Sequence, residues 1–313
     1  MIAAKIGLVL AGGYSQIFLI KDLQKRGIKA ILADNNNNAV ARPYADDFCK
    51  VNILDFEAVK KVAIDKQVDF IITACADQVL LTMAKVSEDL GLPTYIDYAT
   101  ACLVSDKKAM KEICKKNGIP TSDFVIIDEL IPEKFEHLHY PLIFKPVDGY
   151  SAKGISKIYS KDEIQKAYDY AFAAARTKEI VVEEYVEGHE VTIDAYIEDG
   201  KAKVLSVSNT EKLPMEDIFL AFRTWYPATI TPETYEKIED AIQKIADAYH
   251  LKNAPFLAQM IVNDKQISVL EFCARTGGGA KYTLLERATG FDPFKAVVDL
   301  TLGLKPHIEK EAP

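Results

Sequence analysis

Residues 267–279 read ISVLEFCARTGGG, the pattern of a strand that runs into a glycine-rich loop. With a period of two, Ile267, Val269, Glu271, Cys273 and Arg275 project to one side, and Ser268, Leu270, Phe272 and Ala274 to the other. An acid and a guanidinium then share a face. A strand ending in a carboxylate, an arginine and three consecutive glycines offers a metal ligand, an anion clamp and a backbone that phosphate oxygens can approach. The alternative is a surface ion pair ahead of a loop, which is common and contributes little.

Just upstream, PFLAQMIV (residues 255–262) reads as a partner strand. If Asp264, Lys265 and Gln266 form the loop, the two strands make a hairpin with Gln259 opposite Glu271. Farther back, VVEEYVEGHEVTIDAYI places Val191, Ile193, Ala195 and Ile197 on a packing face and Glu190, Thr192, Asp194 and Tyr196 on the other. Strands are expected at 203–211 and near 219–226, and helices at 232–249 (capped by Thr231), 281–288 and 293–302. The tail HIEKEAP reads as frayed.

The middle of the chain carries lysines. A helix over 105–116, with Ser105 as its N-cap, stops at Asn117, Gly118 and Pro120. Lys107 and Lys108 in its first turn oppose the helix dipole by about 0.3 to 1 kcal/mol each, a cost that a bound anion would offset; the alternative is two solvated lysines. In YPLIFKPVDGYSAKGISKIYS, a strand with Lys145 leads through Pro146 into a loop containing Gly149, Tyr150, Ser151, Lys153 and Gly154. A small-residue tip of this kind can fold backbone N–H groups over phosphates. It lacks the GxxxxGK[ST] of a Walker A loop. A helix over 161–176 covers this unit.

At the start, AKIGLVL is a buried-strand run followed by Gly12, Gly13 and Tyr14 and a helix over 16–25. Strands at 28–33, 48–53 and 69–74, with helices at 55–65 and 77–91, continue the βαβ alternation. This is the signature of an α/β doubly wound parallel sheet, whose ligands sit beyond the carboxyl ends of its strands. The glycine turn and the loop Cys75, Ala76, Asp77 meet that condition. The turn lacks the GxGxxG spacing of a nicotinamide or flavin site. Asp34 reads either as a ribose ligand or as a turn former before four asparagines.

A chain of 313 residues, 49% hydrophobic and 27% charged, has length for two or three cooperating domains. Its formal net charge of −8 argues against a nucleic-acid surface. No apolar run reaches the roughly 20 residues of a membrane span, so a cytoplasmic protein is expected. The five cysteines lack CxxC or His-partner spacing, which disfavours both a disulfide framework and zinc and predicts reduced, mostly buried thiols.

The order of these elements resembles the ATP-grasp superfamily over nearly the whole chain. The resemblance implies an α/β and α+β fold: a Rossmann-like front domain (1–97), linker helices with a small lobe (98–180), and a large lobe (181–313), with ATP held between the lobes. Lys107 matches the cation that reaches ATP phosphates and Lys145 of FKP the lysine at the adenine and α-phosphate. GYSAKG, with Tyr150, Ser151, Lys153 and Gly154, is similar to the mobile phosphate loop. Glu183, Glu184, Tyr185 and Val186 resemble the hinge that pairs with the adenine edge, and Glu190 the carboxylate on the ribose. Gln259 and Glu271 look like the Mg²⁺ ligands, with Gln259 closer to carbamoyl phosphate synthase than to the D-alanine ligases. Arg275 matches the arginine beside the transferred phosphoryl group.

One departure is that many relatives have E-x-N where this chain has Glu271, Phe272, Cys273. Cysteine is a soft ligand that suits Mg²⁺ poorly, so Cys273 either leaves that position to water or phosphate or simply packs. The resemblance implies an ATP-dependent carboxylate–amine ligase working through an acyl phosphate. Its cofactors would be ATP and Mg²⁺, and its substrates a small carboxylate and an amine meeting Gly12, Gly13, Tyr14, Asp77 and Arg275. Dimers are usual among relatives. The rival readings are a carboxylating or carbamoyl-forming enzyme that uses bicarbonate, and a nucleotide-binding regulator without chemistry. Retention of Glu271 and Arg275 argues against the last.

Overall fold

The computed structural model of the chain describes residues 5–149, 153–213, 221–279 and 281–308. The opening apolar run forms β1 (Ile6–Leu10), and the amphipathic stretch after the glycine turn forms α1 (Gln16–Lys25). There follow β2 (Lys29–Asp34), β3 (Asp47–Lys50), α2 (Phe56–Asp65), β4 (Phe70–Ile72) and α3 (Asp77–Leu90). The four strands make a parallel sheet in the order β3-β2-β1-β4. That order reverses between β1 and β4, so the loops after these two strands open into one crevice.

Gly12 is required by close packing, because a Cβ there would run into the Ala39 side chain. Its N–H donates to Asp34 Oδ2 at 2.6 Å, and its carbonyl accepts from the Ala41 N–H at 2.9 Å. Asp34 Oδ1 accepts from the Asn36 N–H at 2.7 Å, so Asp34 is the turn former of its two readings.

The linker holds α4 (Tyr98–Leu103) and α5 (Lys107–Lys116). The cap of α5 is Asp106, whose side chain accepts from the Ala109 N–H at 2.9 Å; this corrects the expected Ser105 cap by one residue. Next come β5 (Phe124–Ile127), β6 (Leu142–Pro146), β7 (Ser156–Ile158), α6 (Ile164–Ala174) and β8 (Ile180–Glu184). They build a small antiparallel sheet, β5-β8-β6-β7. Neither α4 nor β5 stood out in the sequence, since both are short and lack a clean period.

The larger half contains β9 (His189–Glu198), β10 (Lys201–Lys212), β11 (Ala221–Trp225), α7 (Pro232–Ala248), β12 (Ala254–Val262), β13 (Ile267–Cys273), α8 (Lys281–Thr289) and α9 (Pro293–Thr301). Its antiparallel sheet runs β11-β10-β9-β12-β13. Thr231 caps α7 as expected, accepting from the Thr234 N–H at 3.1 Å. The tail is not frayed as far as Ile308, which is buried beside Tyr196 and Leu205 in the same apolar cluster; residues 309–313 lie outside the described residues.

The hairpin contains a β-bulge that the period-two reading could not register. Val262 pairs with Ile267 and Met260 with Val269, but Gln259 then pairs with Glu271, leaving Leu270 as the extra residue. The phase of β13 therefore flips at Leu270. Ile267 and Val269 lie in the core with Phe272 and Ala274, while Leu270 and Glu271 line the neighbouring cleft. This corrects the expectation that Ile267 and Val269 share a face with Glu271. The strand also ends at Cys273, so Arg275 sits in the bend beyond it.

The first sheet and the large sheet share one continuous apolar core, which includes Leu8 and Ile71 as well as Ile193, Phe256 and Phe272. The small sheet has its own core around Phe135, Phe144 and Ile164. Among the described residues all five cysteines are free; Cys114 and Cys273 are buried and the other three half-buried, so the thiols are less buried than expected. No helix among the described residues is long and apolar enough to cross a membrane.

Candidate active site

A cavity of about 1050 Å³ lies between the small and large sheets. Its walls include Lys107, Lys145, Lys153, Glu183, Glu184, Tyr185, Val186, Glu190, Gln259 and Glu271, ten residues drawn from the sequence expectation. That volume is at the upper end of small-molecule sites, which run to roughly 1,000 Å³. Tyr150 and Ser151 lie outside the described residues. Gly154 adopts a left-handed φ of 76° and packs near Pro146 and Ala174, so it shapes the loop rather than the cavity wall. Gly12, Gly13, Tyr14, Asp77 and Arg275 are not on that wall; Asp77 lines a second cavity of about 360 Å³ with Asn35, Asn52 and Cys75. Tyr14 is 63% exposed.

The cleft face of the large sheet is a polar row held together by mutual hydrogen bonds. Glu190 on β9 accepts from Gln259 Nε2 at 2.7 Å and pairs with Lys212 Nζ at 2.8 Å. Thr192 Oγ1 lies 2.8 Å from Thr210 Oγ1 and accepts from Lys281 Nζ at 2.8 Å. The opposite face of β9, with Val191, Ile193, Ala195 and Ile197, is in the core, as its alternation predicted. Buried polar groups survive folding only when paired, and here they pair across three strands and α8. Lys212 and Lys281 escaped the sequence reading because their partners are distant in the chain.

At the other wall, the Lys145 ammonium pairs with Glu183 Oε1, and Glu183 Oε2 accepts from Ser122 Oγ at 2.9 Å and lies 2.5 Å from Lys111 Nζ. Burial would raise the Glu183 pKa, but Lys111 and Lys145 pull it down to about 2. The backbone N–H groups of Glu184 and Tyr185, in the segment expected as the hinge, donate to Asp123 O (3.0 Å) and Pro141 O (2.8 Å). Among the described residues the Val186 N–H meets no backbone acceptor, and Val186 lines the cavity. Gly188 lets the hinge run against β12: a Cβ there would strike the Val262 carbonyl and come within 2.7 Å of Ile261 Cγ2.

Lys107 Nζ donates to the Gly149 carbonyl at 2.7 Å and lies 3.1 Å from Glu271 Oε2. Burial opposes ionisation of Glu271, but Lys107 and then Lys145 keep its carboxyl below the usual range. Glu271 and Gln259 stand opposite each other in register. Since the Gln259 amide nitrogen is engaged by Glu190, its oxygen is the remaining acceptor. Among the described residues no three His, Cys, Asp or Glu side chains gather as a metal cluster. One carboxylate and one amide oxygen do fit Mg²⁺, which is commonly held by one or two protein oxygens together with substrate phosphates.

Arg275 is brought to Asp77, and the two were both expected among the substrate contacts. The contact is bidentate, Nε to Oδ1 at 2.5 Å and Nη2 to Oδ2 at 2.7 Å, and Nη1 donates to the Thr276 carbonyl at 2.9 Å. Burial opposes the charge on both groups, and the pairing overcomes it: Asp77 is held below the usual range and Arg275 above its own. Cys75 Sγ donates to the Gly277 carbonyl at 3.1 Å and Tyr95 OH to the Ala274 carbonyl at 3.4 Å. The crevice of the first sheet and the end of β13 thus meet at one ion pair.

The architecture is a parallel sheet followed by two lobes enclosing a lysine- and acid-lined cleft. Residues 138–284 match the family described as the ATP-grasp domain. The formate-dependent phosphoribosylglycinamide formyltransferase of Sulfurisphaera tokodaii is 24% identical over 255 residues, covering 78% of this chain and 63% of that one. The enzyme of the same name from Corynebacterium glutamicum (strain R) is 25% identical over 320 residues, covering 96% and 75%. The chain therefore spans less than two thirds of the first of these relatives. Among solved structures, the N5-carboxyaminoimidazole synthetase of Staphylococcus aureus complexed with ADP aligns with TM-score 0.80 at 22% identity, covering 99% of this chain and 80% of that one. The L-amino acid ligase of Bacillus licheniformis aligns with TM-score 0.78 at 22% identity, covering 97% and 75%.

Proposed function

We propose that the protein is an ATP-dependent ligase that joins a small carboxylate to an amine through an acyl phosphate. The observation that carries this reading is one cleft whose walls hold Val186, Glu190, Lys107, Lys145, Gln259 and Glu271 together. In this reading the adenine edge meets Val186, the ribose hydroxyls meet Glu190, and the phosphates lie along Lys107 and Lys145. Magnesium, held by Glu271 and the Gln259 amide oxygen, would supply neutralisation of phosphate charge. The lysines now engaged by Glu271, Glu183 and the Gly149 carbonyl would exchange those partners for phosphate oxygens.

The reaction is phosphoryl transfer followed by acyl transfer. A carboxylate oxygen attacks the γ-phosphorus and ADP leaves; an amine nitrogen attacks the acyl carbon, phosphate leaves, and an amide remains. Such chemistry asks a protein chiefly for positioning and charge neutralisation. The Asp77–Arg275 pair ties the bend after β13 to a residue of the first-sheet crevice, and in this reading carboxylate and amine meet beside it. The test is phosphate release from Mg·ATP across carboxylic acids, formate and amino acids included, with and without amines. Dependence on both co-substrates supports the ligase. Release that needs bicarbonate instead supports the carboxylating alternative, and ATP binding with no release under any pairing supports the regulator.

A further inference from the structure

The helix that carries the half-buried Lys107 carries a fully buried lysine one turn later. Lys111 is four residues on, so the two share a face of α5. That face lies between the hinge strand and β13: Lys107 reaches Glu271, and Lys111 reaches Glu183. Lys111 is 3% exposed, and its ammonium has three acceptors: Glu183 Oε2 at 2.5 Å, Ser122 Oγ at 2.7 Å and Thr121 Oγ1 at 2.7 Å. An ammonium has three protons, so its capacity is filled. Thr121 Oγ1 donates in turn to the Val269 carbonyl at 3.0 Å, and the Val269 N–H to the Pro120 carbonyl at 2.8 Å. Lys111 is thereby tied both to the hinge and to the strand just before its bulge. It does not line the cavity, whereas Lys145 and Glu183 do.

Glu183 divides its oxygens, one to Lys145 and the other to Lys111 and Ser122. If Lys145 were its only cation, drawing that lysine toward a ligand would strand a buried carboxylate, which is strongly unfavourable. With Lys111 on the second oxygen, the carboxylate stays paired when Lys145 turns away. The cluster also holds two cations against one anion, a surplus positive charge under the cleft in a chain whose net charge is −8. An anion in the cleft completes it.

We infer that Lys111 is a positioning residue: it retains Glu183 so that the Lys145 ammonium is released to an anionic ligand in the cleft. The inference rests on the nucleotide reading above and deepens it. Lys111 touches no ligand itself and acts through Glu183 on Lys145.

The test is Mg·ATP affinity by calorimetry for the wild-type protein and four variants: Lys145→Met, Lys111→Met, Lys111→Arg, and Lys111→Met combined with Glu183→Gln. The expected result is that Lys111→Met weakens ATP about tenfold or more, by leaving Lys145 as the sole cationic partner of Glu183. Lys111→Arg keeps most of the affinity. The double variant binds more tightly than Lys111→Met alone, because no carboxylate is left to hold Lys145. A merely structural lysine predicts the opposite, since a second change in the same buried cluster would compound the damage. If Lys111→Met does not fold, Lys111→Gln, which keeps a donor for Ser122 and Thr121 without the charge, is paired with Glu183→Gln in the same comparison. Unchanged affinity on removing the Lys111 charge, or no recovery in the double variant, overturns the inference. Failure of the nucleotide reading looks different: wild-type protein and Lys145→Met would bind ATP equally poorly.

Discussion

Arg275 and Asp77 grip each other at two points, Nε to Oδ1 at 2.5 Å and Nη2 to Oδ2 at 2.7 Å, across 198 positions of sequence. The pair joins the N-terminal end of α3, in the first-sheet crevice, to the bend that follows β13. Arg275, which in the proposed reading stands beside the phosphoryl group, is therefore oriented by an acid from the first domain.

Replacing Arg275 by Lys keeps a charge and loses the planar fork. Turnover should fall by about 10² or more with nucleotide affinity little changed. Asp77→Asn should lower unfolding free energy by about 1 to 2 kcal/mol, between a surface and a buried pair, since the Arg275 side chain is 13% exposed and that of Asp77 45%. Urea unfolding and steady-state kinetics measure the two effects. Wild-type turnover in Arg275→Lys would reduce the pair to a structural bridge.

Glu190 accepts from Gln259 and pairs with Lys212. Glu190→Ala should weaken ATP binding by about 1.5 to 3 kcal/mol, the range for a hydrogen bond to a charged group. Calorimetry with ATP reads it directly. Equal affinity in the variant would remove the ribose assignment.

Glu271→Gln takes the charge from the proposed magnesium site while keeping its size. Magnesium-dependent turnover should be lost, with adenosine-end binding retained. Titrating magnesium against activity in both proteins shows whether the requirement was met through this side chain. An unchanged magnesium midpoint would place the ion elsewhere.

Acid stability should report the buried cluster. Glu183 is held at about 2 against an ordinary 4.5, so the unfolded chain binds its proton first. The stabilisation is complete above about pH 4.5 and is lost as pH falls toward 2. Unfolding free energy measured from pH 6 to 2 should therefore drop more steeply in the wild type than in a Lys111→Met and Glu183→Gln double variant. Parallel curves would show that Glu183 contributes no such linkage.

Gly188→Ala should cost about 1 to 3 kcal/mol through overpacking against β12, because the added methyl meets the Val262 carbonyl. Since the strain sits beside the hinge, ATP affinity should fall with thermal stability. A variant of unchanged melting temperature would show that the hinge has room to shift.

The sequence by itself determined the βαβ order of the first sheet, the helix from Gln16 to Lys25 and the core face of β9, while ten of the residues that wall the cleft were expected only through the resemblance to the ATP-grasp superfamily. The first three follow from local rules: apolar period, turn chemistry and caps act within a few residues, and a one-dimensional pattern records them. The opposition of Gln259 and Glu271 was legible as well, though the register that produces it includes a bulge at Leu270, and the bulge moved Ile267 and Val269 into the core. An inserted residue flips the phase without altering the composition, so only strand pairing reveals it. Tertiary structure alone decided which charges meet. Lys111 was an ordinary helix residue until α5 docked against Glu183, and Arg275 and Asp77 were two separate candidates until the chain closed them into one pair. Burial removes the water that would otherwise satisfy each charge, so its partner is whatever opposite charge the packing brings within reach, at any distance along the chain.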